Sequence, residues 1–190
     1  LYDVLCFYRD KGCKGVGEIC ANLPFLDPRV LNLFGAAEKA GLPVTFHIST
    51  RIGDTYGLMD EKSLPGLERA LQQFSNLKFF GHSQAFWCEI GQYDDESLRT
   101  GYPTGTVKEG RIAQLMRKYP NLYGDLSANS GAIALSRDRE YAIKFIEEFQ
   151  DRLMFGLDLC QPEADRSWNA ILPKFLRDLR DSGDISQEIF

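Results

Sequence analysis

Two histidines and one aspartate are the residues of this sequence best suited to chemistry. His47 and His82 are the only histidines, and each ends a short apolar run, Pro43–His47 and Leu77–His82. A third apolar run, Arg152–Asp158, ends in a carboxylate. Imidazole and carboxylate groups bind divalent metal ions and exchange protons near neutral pH. The three side chains therefore predict a metal or acid–base site, provided that the fold brings the ends of these runs together.

The segments between the apolar runs have the periodicity and capping signals of helices. Asp27 and Pro28 suit the cap and the first position of a helix, and Gly41 suits its end. Alternating strands and helices indicate an α/β fold with a parallel sheet. The predicted strands are Gly15–Ile19, Pro43–Ile48, Leu77–Gly81, Leu122–Leu126 and Leu153–Leu157, and the predicted helices are Leu1–Lys11, residues 28–40, Pro65–Phe74, Val107–Tyr119, Arg139–Phe149 and Trp168–Leu179.

A (β/α)8 barrel would bring the ends of these strands together, because its site lies at the face where the strands end. The chain has 190 residues, fewer than the roughly 250 of a complete barrel. It begins at Leu1 inside a helical pattern and stops at Phe190 just after Asp184. We therefore expect a single partial barrel domain over residues 1–190, truncated at both ends. Its open strand edges would need the missing strands, or another chain such as a second copy, to cover them.

Composition excludes several classes of partner. The net charge is −5 and the Lys and Arg residues are not clustered, which argues against a nucleic-acid partner. No apolar run reaches the about 20 residues that span a bilayer, so no membrane partner is expected. The five cysteines lack the spacing of a zinc site, which indicates reduced thiols and a cytoplasmic protein.

Four further residues are candidates for the site, each with an ordinary alternative. Glu18, in the first predicted strand, could bind a metal or pair with a loop Arg or Lys. Arg51, four residues past His47, could hold an anionic substrate group or be a solvated loop arginine. Trp87 could line a pocket or pack in the core. Asn129, beyond the fourth strand, could bind substrate or be a turn residue.

Three motifs resemble one known family. Gly41–His47 resembles the fifth strand, Phe80–Ser83 the sixth and Phe155–Asp158 the eighth strand of the amidohydrolase superfamily, in particular its amidohydrolase-2 group. The resemblance covers nearly the whole chain and implies the C-terminal portion of a TIM barrel, from about strand four to strand eight. The His-x-His pair of the family's first strand is absent from this sequence, and Leu157 stands where serine is common.

The resemblance also implies a cofactor and roles for individual residues. His47 would be a metal ligand, and His82 either a ligand of a second ion or the catalytic acid or base. Asp158 would be both a ligand and the general base, while Glu18 resembles a position that holds a bridging carboxylate in some relatives. The implied cofactor is one or two divalent ions, with zinc expected.

The implied enzyme is a metal-dependent hydrolase in which metal-bound hydroxide attacks a C–N or C–O bond of a small amide, ester or lactone. Within the same fold, the alternative is a non-oxidative decarboxylase of an aromatic or unsaturated acid, with Arg51 and Trp87 holding the carboxylated ring. A different alternative is a binding protein that has lost its metal. The partial chain by itself is expected to bind metal weakly.

Overall fold

The computed structural model describes residues 1–53, 55–159 and 170–189. They form two compact units, one of Leu1–Gly81 with Gln114–Tyr123 and the other of His82–Ala113 with Gly124–Phe190. No helix of the described part is long and apolar enough to cross a bilayer. In chain order the helices and strands are α1 (Tyr2–Asp10), β1 (Val16–Ile19), α2 (Pro28–Ala40), β2 (Val44–Ser49), β3 (Leu58–Met59), α3 (Pro65–Gln73), β4 (Phe79–His82), α4 (Gln84–Cys88), α5 (Arg111–Lys118), β5 (Leu122–Asp125), α6 (Ala128–Ser136), α7 (Arg139–Phe149), β6 (Leu153–Met154) and α8 (Ile171–Asp181).

The strands form a parallel sheet with helices between them. Their order is β1-β2-β4-β5-β6, with β3 paired to β2. In the β1–β2 pairing, Ile19 lies opposite Phe46, and in the β5–β6 pairing Gly124 lies opposite Leu153. Every pairing with an assigned register is parallel. The predicted α/β class is confirmed.

Helix α2 is specified by its own sequence. The Asp27 side chain accepts a hydrogen bond from the Arg29 backbone N–H at 2.9 Å, and Pro28 occupies the first turn. Gly41 has a φ of 70°, a left-handed conformation that favours glycine, and its N–H reaches the carbonyls that end the helix. The inward face includes Val30, Phe34, Ala37 and Ala40.

Aromatic side chains build the core of the first unit. Phe34 is fully buried, and its ring centroid lies 5.7 Å from that of Phe25 and 5.1 Å from that of Phe79. Phe25 in turn meets Phe46 edge to face at 5.3 Å. Such edge-to-face pairs stabilise a core beyond the area that they bury. The core thus fixes α2 against β2 and β4.

The core of the second unit is centred on Trp87 of α4, which is 1% exposed. Its indole Nε1–H donates a hydrogen bond to the Asp125 carbonyl at 2.8 Å. Its ring packs against Phe86 and Phe145. Because a buried indole N–H needs an acceptor, this bond anchors α4 to the end of β5.

The structure corrects several predicted bounds. The strand predicted to run to Leu157 stops at Met154, and Asp158, with a φ of 53°, is in the left-handed region. Asp158 therefore lies beyond the strand, because its backbone cannot continue an extended ladder. His47 is the fourth residue of the six-residue β2 and does not end it. The helix expected from Val107 begins at Arg111, where the chain leaves a bridge at Glu109.

Other elements were not expected from the sequence. Helix α4 and strand β3 are absent from the prediction, and Asn129 lies within helix α6 instead of a turn. These segments are short or apolar on all sides, so their periodicity is weak. The predicted start of the last helix, Trp168, lies outside the described residues.

Asp138 should make stability depend on pH. Its side chain accepts hydrogen bonds from the backbone N–H of Val107 at 2.7 Å and of Tyr141 at 3.1 Å, the second capping α7. These bonds, Val107 first, lower the pKa of Asp138 below its ordinary value of 3.8. A lowered pKa means that the stabilisation is complete above about pH 4 and is lost as pH falls through the folded-state pKa.

We expect Asp138→Ala to lower the free energy of unfolding at pH 7 by about 1 kcal/mol, as for other lost helix caps. Urea unfolding between pH 2 and pH 7 measures this. The difference between wild type and variant should shrink below pH 4; a difference that stays constant down to pH 2 would contradict the assignment.

Candidate metal centre

Glu18 and His47 form the best-defined polar pair of the first unit. Strands β1 and β2 pair in parallel with Ile19 opposite Phe46. Side chains alternate between the two faces of a strand. Glu18, just before Ile19, and His47, just after Phe46, therefore share the face opposite to that of Ile19 and Phe46. His47 Nδ1 lies 2.7 Å from Glu18 Oε1, and the imidazole side chain is only 12% exposed.

The loop after β2 packs against this imidazole. The Tyr56 ring centroid lies 4.3 Å from that of His47. Asn22 holds the loop, because its Nδ2 donates to the carbonyls of Arg51 and Gly57 and its Oδ1 accepts from the Gly53 N–H. The loop is thereby tied to the segment that follows β1, and it limits where the imidazole can lie.

Gly57 leaves the space that the imidazole occupies. Its φ is +103°, and a Cβ added there would lie 2.7 Å from His47 Cδ2. Gly57→Ala should therefore displace the imidazole and weaken metal binding at least tenfold, the scale seen when a residue supporting a metal ligand is changed. Isothermal titration with Zn²⁺ measures the affinity.

Gly53→Ala is the matched control. Gly53 has a φ of +88° in the same loop, but a Cβ there would meet no atom within 4 Å. Both substitutions place an alanine at a positive φ, which costs about 1 kcal/mol. Only the methyl group of Gly57→Ala would clash with the imidazole. Equal zinc affinity in the two variants would show that Gly57 has no role in placing His47.

His82 has its own partners in the second unit. It ends β4 and is 6% exposed. Its Nδ1 lies 3.3 Å from Ser127 Oγ and 3.4 Å from Asp125 Oδ2. Burial alone would raise the pKa of Asp125, but hydrogen bonds with His82 and with the Ser127 N–H outweigh it, so the pKa is lowered. Asp125 therefore stays ionised and orients the imidazole through Nδ1.

The donor atoms suit a divalent ion. Glu18 and His47 of the first unit each offer one ligand atom, and His82 of the second unit offers another. The 2.7 Å between His47 Nδ1 and Glu18 Oε1 is a hydrogen-bond distance, and this bond fixes the orientation of the imidazole. Two imidazoles and a carboxylate favour zinc or a similar transition metal.

The remaining candidates differ in their exposure. Asp158 is exposed. Arg51 is exposed in the loop after β2. Trp87 is buried, as its core alternative predicts. Asn129 Oδ1 is buried without a hydrogen-bond partner in the described part of the chain. Their roles at the site stay predictions.

The comparisons with known proteins decide the family. The sequence model described as amidohydrolase matches residues 8–181. The chain belongs to the amidohydrolase-2 family. No curated protein and no solved structure gave a match. The resemblance stated from the motifs is confirmed, and with it the TIM-barrel fold class, although the order of the described strands does not close a barrel.

Membership in the amidohydrolase-2 family supports a metal-dependent activity of the hydrolase or decarboxylase type. The sequence indicates the two histidines and Glu18 as candidates but not the residues that position them. Asn22, Gly57 and the Asp125–His82 pairing arise from contacts between distant segments. Of these residues, only Asn22 and Gly57 have a recognisable signal in the sequence, because asparagine and glycine are common in turns.

Proposed function

We propose that this amidohydrolase is a metal-dependent hydrolase that cleaves a C–N or C–O bond of a small amide, ester or lactone. The observation that carries the proposal is the family match over residues 8–181. The paired Glu18 and His47 and the buried imidazole of His82 are groups that bind divalent ions, which supports the metal requirement. The proposed substrate is a small molecule. We also propose that the protein is cytoplasmic and forms a homo-oligomer.

The proposed ligands are His47, Glu18 and Asp158, with His82 either a further ligand or the catalytic acid or base. A divalent ion bound there would lower the pKa of water to about 7 and polarise a substrate oxygen. Glu18 also holds His47 Nδ1, which fixes the orientation of the ring. Zinc is the proposed ion, because imidazole and carboxylate are its usual ligands.

Proton transfer falls to His82 and Asp158. Asp125 holds His82 through Nδ1; in the alternative in which His82 is the catalytic acid, its Nε2 gives a proton to the leaving group. Asp158 is the proposed base for the attacking water. Arg51 is the proposed partner of an anionic group on the substrate, because its guanidinium can bind a carboxylate through two hydrogen bonds. Trp87 and Asn129 are proposed to contact the same substrate.

The test is a panel of small amides, esters, lactones and aromatic carboxylic acids. The protein is stripped with a chelator and reloaded with Zn²⁺ or Mn²⁺. Hydrolysis that is lost on chelation and restored by metal is the expected result. Release of carbon dioxide without hydrolysis would replace the hydrolase with the decarboxylase. Stoichiometric ligand binding that a chelator leaves unchanged, with no turnover, would indicate a non-catalytic barrel.

A further inference from the structure

Ser127 lies between β5 and α6, next to the imidazole of His82. Its Oγ is 3.3 Å from His82 Nδ1, and the residue is only 8% exposed. Its backbone N–H donates a hydrogen bond to Asp125 Oδ1 at 2.9 Å, while the other carboxylate oxygen, Oδ2, lies 3.4 Å from the same Nδ1. Ser127 and Asp125 therefore both contact the same nitrogen of His82.

The hydrogen-bonding roles at this nitrogen follow from the chemistry of the three groups. Burial would raise the pKa of Asp125, but hydrogen bonds with His82 and Ser127 lower it, so the carboxylate is ionised and only accepts. A lone pair on Nδ1 would be repelled by this carboxylate, and Nδ1 therefore carries a proton. The Ser127 oxygen can accept from that N–H, because a hydroxyl has two lone pairs. In the neutral ring the lone pair is then on Nε2.

Gly156 leaves the space in which Ser127 lies. A Cβ built on Gly156 would be 2.9 Å from Ser127 Cβ, well inside the 3.5–4.0 Å at which carbon atoms attract one another. Gly156 is two residues before Asp158, the proposed base, so the segment that carries Asp158 packs directly on Ser127. The Asp125 carbonyl is fixed as well, by the indole N–H of Trp87 at 2.8 Å. These contacts confine Ser127 to its place beside His82.

We propose that Ser127 is a positioning residue, which holds the imidazole of His82 by Nδ1 together with Asp125, and that Gly156 keeps Ser127 in this place. The role rests on the proposed function, because positioning matters for catalysis only if His82 is a ligand or the acid or base. Its direct consequence, the imidazole proton on Nδ1, does not depend on any reaction. The positioning role and the hydrolase can therefore be tested separately.

The first test is the tautomer of His82, measured by long-range ¹H–¹⁵N NMR of the labelled full chain in the presence of a chelator, at a pH where the ring is neutral. The sequence has two histidines, so two sets of ring signals are present, and His47→Gln assigns them. The expected result is a protonated Nδ1 and an unprotonated Nε2 in His82. A proton on Nε2 instead would overturn the proposal, whether or not the protein turns over a substrate.

Variants show whether Ser127 itself holds the ring. Ser127→Ala should speed the exchange of the Nδ1 proton with water about fivefold, the effect of losing one hydrogen bond. Ser130→Ala is the matched control, because Ser130 is also buried in α6 but its Oγ has no hydrogen-bond partner among the described residues. The control should exchange like the wild type. Equal exchange rates in the two variants would remove Ser127 from the support of His82.

Gly156→Ala tests the packing without removing a hydroxyl. It should speed the exchange at least as much as Ser127→Ala, whereas Gly101→Ala, whose Cβ would come no closer than 3.9 Å to Leu98 O, should not.

Activity gives an independent readout. With a substrate from the panel above, Ser127→Ala should lower kcat about 10- to 100-fold and leave KM nearly unchanged. A raised KM with kcat unchanged would mean that Ser127 binds substrate and would overturn the positioning role. A panel without turnover would count against the hydrolase, and the NMR result would still decide the role of Ser127.

Discussion

Replacing His47 with alanine should remove the metal and the activity together. The expected content of bound zinc is a tenth of the wild-type value or less, and turnover should fall about 1000-fold or more, because both ion binding and its polarising effect are lost. His47 is 12% exposed and its Nδ1 lies 2.7 Å from Glu18 Oε1. Metal analysis by mass spectrometry after gel filtration measures the loss.

Glu18 provides a graded companion to this experiment. Glu18→Gln keeps the size of the side chain but removes its charge, and should weaken zinc binding by about 10- to 100-fold. Glu147→Gln, on the exposed side of α7, is the matched control and should bind zinc like the wild type. Undiminished zinc content in a folded His47→Ala protein would remove His47 from the ligand set.

Replacing Phe34 with alanine should have the largest effect on stability. Phe34 is fully buried, and its ring meets the rings of Phe25, Phe74 and Phe79 at centroid distances of 5.7, 5.8 and 5.1 Å. Truncation leaves a cavity among rigid aromatic neighbours that cannot collapse into it. The free energy of unfolding should fall by about 3–5 kcal/mol, as for other buried phenylalanines. Urea denaturation with an unchanged m-value measures the loss.

Phe7→Ala is the control for this core substitution. Phe7 lies on α1, is 55% exposed and contacts mainly Tyr8 and Lys11. Its removal should change the free energy of unfolding by no more than about 0.5 kcal/mol. Similar losses in the two variants would mean that the aromatic cluster around Phe34 does not carry the stability of the first unit.

Local signals in the sequence were enough for the elements with strong caps. Helix α2 lies where Asp27, Pro28 and Gly41 predict it, because each acts on the backbone within a few residues. Helix α7 has its predicted bounds, Arg139–Phe149. Strand β6 is shorter than predicted. In the described residues it pairs with β5 over two residues, and its residue Met154 is exposed. An extended run needs neighbours to remain a strand, and the chain order does not reveal them.

By itself the sequence determined the donor chemistry and the family, because residue types and short motifs such as Gly41–His47 carry both. It could not determine which donors meet. The pairing of His47 with Glu18 depends on the register of β1 against β2, and that of His82 with Asp125 on the placement of two strand ends. A shift of one residue in register would turn these side chains to the opposite face. Tertiary packing alone fixes that register, since it is set by contacts between residues far apart in the chain.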